Sequence, residues 1–208
     1  NVSVTTPFVT NMTGVTNGYG GTGGGGDFGD GGGGDFGGAI AIGSGAGNKI
    51  TSGGHNVFIG KYAGKTVTTG GYNSFIGSKA GNCLTTGGHN IAIGCHALGL
   101  ATITGSDNIA FGKVSLQNLT SGARNIAFGV CALGNGTVTG ADNISIGLKA
   151  AKGTTSGEEN IFIGKYAGVN DTITGGSNVV LGSSAGQSIT GGSFNIVLGR
   201  ASAATLTS

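Results

Sequence analysis

Residues 90–97 read Asn-Ile-Ala-Ile-Gly-Cys-His-Ala, and the pattern returns as Asn-Ile-Ala-Phe-Gly-Lys-Val-Ser at 108–115 and Asn-Ile-Ala-Phe-Gly-Val-Cys-Ala at 125–132. Traced outward, the apolar-Gly pair recurs with its glycine at Gly43, Gly60, Gly77, Gly94, Gly112, Gly129, Gly147, Gly164, Gly182 and Gly199, in steps of 17 or 18 residues. All but the first of these glycines have an asparagine four residues before them: Asn56, Asn73, Asn90, Asn108, Asn125, Asn143, Asn160, Asn178 and Asn195. The first unit carries Ala39 there, as suits an atypical capping coil. Three residues beyond each glycine stands Ala or Ser, and a Thr/Ser-Gly step precedes nearly every asparagine, as in Thr69-Gly70 and Thr174-Gly175. A repeat this short and this regular is the first thing the chain has to satisfy.

The repeat cannot be a pair of helices. Seventeen residues are too few, and the interior glycines would break them. Its core alternates instead as a short strand does. The reading is therefore all-β: a parallel β-solenoid, a β-roll or β-helix, of about ten coils of 17–18 residues. Stacked at about 4.8 Å per coil, they make a rod roughly 50 Å long. Either hand is compatible with the repeat, and a left-handed helix with triangular coils fits because three six-residue sides make 18. The repeat also divides the chain: residues 1–17 an N-terminal attachment segment, 18–38 a Gly-rich linker, 39–203 the solenoid, and 204–208 a C-terminal tail.

Composition agrees. The 208 residues include 49 Gly, one Pro and no Trp, with 9% charged. There is no Gly-X-Y register for collagen, and the recurrent Val, Ile, Leu and Phe argue against disorder. Residues 1–38 carry only Asp27, Asp30 and Asp35, while the remainder holds all ten Lys and Arg against five acids. That excess is too dilute along the sequence for a nucleic-acid partner. No apolar run approaches the roughly 18 residues of a membrane span. The chain has no initiator Met and reads as a processed or trimmed form.

Stacking gives the asparagines a use. Identical Asn side chains one coil apart can bond each other and the adjacent turn, so the nine are expected to form a structural ladder. On the strands, Ile91 and Ile93, with Ile109/Phe111 and Ile126/Phe128 in later coils, are expected to face inward as two columns. The residues between them are Ala41, Phe58, Phe75, Ala92, Ala110, Ala127, Ser145, Phe162, Val180 and Val197, and none is charged. An uncharged stripe of that length marks an interface, so these residues are expected to meet neighbouring chains.

The unit N-x-[AFSV]-[ILF]-G-x-x-[AS] with its T-x-G or T-T-G turn resembles the repeats of viral and phage tail-fibre proteins. In that family similar 17-residue units precede an endosialidase-type intramolecular chaperone. More distantly it is similar to the head repeats of bacterial trimeric autotransporter adhesins. The resemblance covers about residues 39–203. It implies a homotrimeric fibre on a virion or cell surface, used as spacer or for attachment. Implied partners are sister chains, an anchoring protein held through the N-terminal segment, and a host receptor or glycan. The chain carries no chaperone domain, and its last residue, Ser208, matches the residue type after which such chaperones are cut away.

No enzyme is legible. Histidine is limited to His55, His89 and His96, and no nucleophile-base-acid set can be assembled, so no catalytic, cofactor or metal residues are expected. His55, His89, Asp107, Arg124, Asp142 and Glu159 precede ladder asparagines, alternating with Tyr72, Ser177 and Phe194, as at an exposed corner. The two histidines are two coils, about 10 Å, apart, too far for one metal. Cys83, Cys95 and Cys131 fall at three different repeat positions and read as free structural thiols. Asp27, Asp30 and Asp35 lack the nine-residue spacing of calcium-binding repeats. One other class stays open: an ice-binding solenoid, on the column Thr68, Thr85, Thr104, Thr120, Thr139, Thr155, Thr174 and Thr190.

Overall fold

The computed structural model describes residues 39–134, 136–169 and 172–202, and the backbone of Thr205–Leu206. The expected N-terminal segment and Gly-rich linker lie outside the described residues. Among those described, the chain is all-β with no helix, a parallel β-solenoid of about nine turns. Ten strands stack in sequence order into one sheet: β1 Ile40–Ile42, β2 Val57–Ile59, β3 Ser74–Ile76, β4 Ile91–Ile93, β5 Ile109–Phe111, β6 Ile126–Phe128, β7 Ile144–Ile146, β8 Ile161–Ile163, β9 Val179–Leu181 and β11 Ile196–Leu198. Register is one repeat throughout, as in Ile93↔Phe111 and Phe111↔Phe128. The remaining two strands, β10 (Ser188–Ile189) and β12 (Thr205–Leu206), pair on another side of the coil. Pairing therefore continues into the segment set apart as a tail.

A glycine turns the chain at the end of each strand and limits it to three residues. This repeat glycine adopts φ of +131 at Gly60 and +133 at Gly94. A Cβ on Gly60 would lie 2.6 Å from the backbone of Gly77 in the next coil. Only glycine allows both the dihedral and the coil spacing there. In nearly every coil two further corners use positive φ with side chains present, at the residue before the ladder Asn and two beyond the glycine, as at Asp107 (φ 61) and Val114 (φ 55). Four coils add a third at Leu98, Leu116, Leu133 and Ala151. The conformation has a purpose. It turns the backbone N–H along the rod, so Asp107 donates to the Gly88 carbonyl at 3.0 Å and Val114 to that of Cys95 at 2.9 Å.

The facing of the strands is opposite to the expectation. Phe58, Phe75, Ala92, Ala110, Ala127, Phe162, Val180 and Val197 are all buried inside their own chain, as is Ser145. The flanking residues point outward, with Phe128 50% and Ile163 39% exposed. The residues expected to meet neighbouring chains are thus the core, and the expected core columns form the outer face. The asparagine is the reason. Asn108 is fully buried, and side chains on a strand alternate, so Ala110 must share its face while Ile109 and Phe111 turn out.

Core volume is balanced within each coil by the residue six positions beyond the strand centre. Phe58, Phe75 and Phe162 are followed by Gly64, Gly81 and Gly168, whereas Ala92, Ala110 and Ala127 are followed by Leu98, Leu116 and Leu133. All three leucines are fully buried at positive φ. A Cβ on Gly64 would sit 2.6 Å from the Phe58 ring, so large and small residues exchange places across the coil. A third column, Val67, Leu84, Ile103, Leu119, Val138, Thr154, Ile173 and Ile189, closes the interior. Its isolated bridges Leu84↔Ile103, Leu119↔Val138 and Thr154↔Ile173 tie a 17-residue coil to the 18-residue coil after it.

Two coils depart from the volume rule: the first, with Ala41 and Gly47, and one in the interior. Between Asn143 and Asn160 the interior holds Ser145, Ala151 and Thr154, and both hydroxyls are buried with no partner among the described residues. An unsatisfied buried hydroxyl costs about 1–3 kcal/mol. Thr154→Val removes one at constant shape and is expected to raise stability by about 1 kcal/mol, read as a higher Tm by circular dichroism. An unchanged or lower Tm would mean that the hydroxyl is satisfied.

Candidate functional site: the faces and edges of the rod

The asparagine column forms a continuous hydrogen-bonded ladder. Asn108 Nδ2 donates to Asn90 Oδ1 at 3.1 Å, to the Ser106 carbonyl at 3.0 Å and to the Gly122 carbonyl of the next coil at 3.0 Å. Its own Oδ1 accepts from the backbone N–H of Asn125 at 3.0 Å and from Asn125 Nδ2 at 3.2 Å. The same links bind Asn125, Asn143, Asn160 and Asn178 to their predecessors and continue to Asn195. Towards the other end, Asn73 and Asn90 also accept on Oδ1 and donate to turn carbonyls, and Asn56 enters the ladder through Asn73 N–H. From Asn56 to Asn178 both amide atoms of each ladder residue are used inside the rod, which leaves this stretch nothing to offer a ligand. Asn108→Asp replaces the donors by oxygen facing carbonyls, and is expected to destabilise by about 3 kcal/mol or more. Denaturant unfolding checks this; a loss under 1 kcal/mol would make the ladder incidental.

Half of the threonine column is committed to the backbone, while Thr104, Thr139 and Thr174 are exposed. Thr68, Thr85, Thr120 and Thr155 donate from Oγ1 to carbonyls of the next coil, as in Thr68 to Thr85 at 3.1 Å. These four hydroxyls staple coils together, which leaves only alternate members of the column facing solvent. At the corner before the ladder Asn, the rings of His55, Tyr72 and His89 stack at 4.8 Å per step. Tyr72, at the same repeat position, fills the gap between the two histidines. Further along, Arg124 chelates Asp142 through two 2.7 Å hydrogen bonds, which hold the Asp142 carboxyl below its usual range. Ser177 donates to Glu159 Oε2. Among the described residues no His/Cys/Asp/Glu group could hold a metal ion, and Cys83, Cys95 and Cys131 are free.

What remains open to solvent is the outer face of the ten-stranded sheet. Its two rows run Ile40, Val57, Ser74, Ile91, Ile109, Ile126, Ile144, Ile161, Val179, Ile196 and Ile42, Ile59, Ile76, Ile93, Phe111, Phe128, Ile146, Ile163, Leu181, Leu198. Only Ser74 is not a large apolar residue, and Phe111 and Phe128 stack at 4.6 Å. Val130 and Leu148, just beyond the sheet, extend the apolar surface. Nine coil steps and two side-chain rows make a strip roughly 43 Å by 12 Å, about 500 Å². That is at the upper end of what a soluble monomer exposes.

No protein-family model, curated protein or solved structure matches this chain.

Proposed function

We propose that the chain is a non-enzymatic fibre module, a rod serving as spacer and attachment element on a virion or cell surface. In this reading parallel copies pack side by side and cover one another's sheet face. The observation carrying it is the pair of exposed apolar rows, which water disfavours along their whole length. A second copy is the fitting occupant, because it has the same coil pitch and so keeps side chains in step over all ten strands. The strip of about 500 Å² supplies the larger part of the roughly 800 Å² per partner of a stable interface. The number three rests on the resemblance of the repeat to tail-fibre and adhesin proteins, as do the surface location and the anchoring partner.

Light scattering on the purified chain tests this. The expected mass is three times 19.9 kDa, independent of dilution through the micromolar range. A monodisperse monomer would overturn the assembly, and a stable dimer would overturn the count.

A further inference from the structure

Folding sorts the charges that are scattered along the sequence. Lys49, Lys61, Lys65, Lys79, Lys113, Lys149, Lys152, Lys165 and Arg200 all lie one to six residues beyond a strand glycine. The four described acids, Asp107, Asp142, Glu158 and Glu159, all lie in the two positions before a ladder asparagine. Sheet strands separate the two sets, so the rod has one basic edge and one largely acidic edge. The tenth cation, Arg124, stands on the acidic edge in the only ion pair among the described residues. The basic edge therefore carries nine cations and no described carboxylate.

Two places on this edge are preorganised. Lys61 and Lys65 hold their ammonium groups 5.2 and 4.8 Å from the centre of the Tyr62 ring, and Lys149 and Lys165 hold theirs 5.6 and 5.0 Å from that of Tyr166. A cation on a ring face is positioned without being neutralised. Between these clips His96 lies below the ordinary histidine range, through burial and then through the charges of Lys79 and Lys113.

We infer that the basic edge is a binding surface for a linear polyanionic glycan bearing sulfate or carboxylate groups, laid along the rod axis. Cations on seven of the ten coils line this edge over about 43 Å and match an anionic chain laid along it. A nucleic acid fits less well, since the faces of Tyr62 and Tyr166 are occupied by ammonium groups and offer no platform for bases. The edge requires only the solenoid and not its assembly, so the two readings stand or fall by separate measurements.

The experiment measures binding of the full chain to a heparin-type sulfated oligosaccharide in 0.15 M salt, roughly physiological. Variants are K61Q/K65Q/K79Q, K149Q/K152Q/K165Q and, on the opposite edge, R124Q. Circular dichroism confirms that each variant keeps its β signal. Measurable binding is expected for the unaltered chain. Each triple variant is expected to lose tenfold or more and to flatten the salt dependence, while R124Q stays within twofold. Absence of binding by the unaltered chain, or triple variants that bind as it does, would overturn the assignment. So would a single-stranded DNA of equal charge binding as tightly as the glycan, which would point to nucleic acid.

Discussion

Phe128→Lys combined with Ile146→Lys is expected to leave the solenoid folded and to convert the proposed assembly to monomer. The two residues are register partners on β6 and β7, 50% and 38% exposed in the chain itself, so a lysine at either site keeps its ammonium in water within one chain. In the assembly the same ammonium groups would be trapped between apolar rows, at several kcal/mol apiece. Mass should fall to that of one chain while the β signal and Tm of the isolated chain are kept. Ala127→Lys is the necessary contrast. Ala127 lies one residue from Phe128 and is fully buried against its own coil, so the variant should fail to fold. A folded, monomeric Ala127→Lys with an unperturbed double-lysine variant would mean that the strands face the other way. Retention of the full oligomeric mass by the double-lysine variant would remove this face as the interface.

The second large effect concerns Phe75 and Gly81. A side chain at Gly81 would be driven into the Phe75 ring, and Gly81 has φ +57. Gly81→Leu is expected to cost about 3 kcal/mol or more, combining overpacking with left-handed strain. Phe75→Ala alone leaves a cavity at about 3–5 kcal/mol. Together they recreate the Ala92/Leu98 arrangement of the next coil and shift the boundary between the two packings by one coil. The double variant should recover about 2–3 kcal/mol relative to the sum of the singles, a coupling of the size seen for residues in contact. Additive losses in denaturant unfolding would dismiss volume exchange across the coil as the organising rule of the core.

This exchange was written in the sequence, since Phe with Gly and Ala with Leu keep a six-residue spacing from coil to coil. The strand-by-strand reading passed over it because the spacing crosses a corner and belongs to neither a strand nor a helix period. The charge sorting was legible in the same way once each Lys and Arg is assigned its place in the repeat. Summed along the chain it vanishes into a small net excess, because what concentrates it is the stacking of equivalent corners about 4.8 Å apart. The ring stack of His55, Tyr72 and His89 likewise depends on which residues are neighbours at one coil pitch.

By itself the sequence determined the period, the parallel stack, the register and the asparagine ladder, because residues repeated at one interval must lie over one another when coils pile up. It also determined that Ile109 and Phe111 share a face. Which face was decided only in three dimensions. Alternation along a strand is symmetric between inside and outside, and both sides here are uncharged. The symmetry is broken by Asn108 and its relatives, whose amides donate to turn carbonyls and to the preceding ladder asparagine and accept from the next one. Once they turn inward, the small or exchanged residue beside them becomes the core, and the isoleucines are left on the surface.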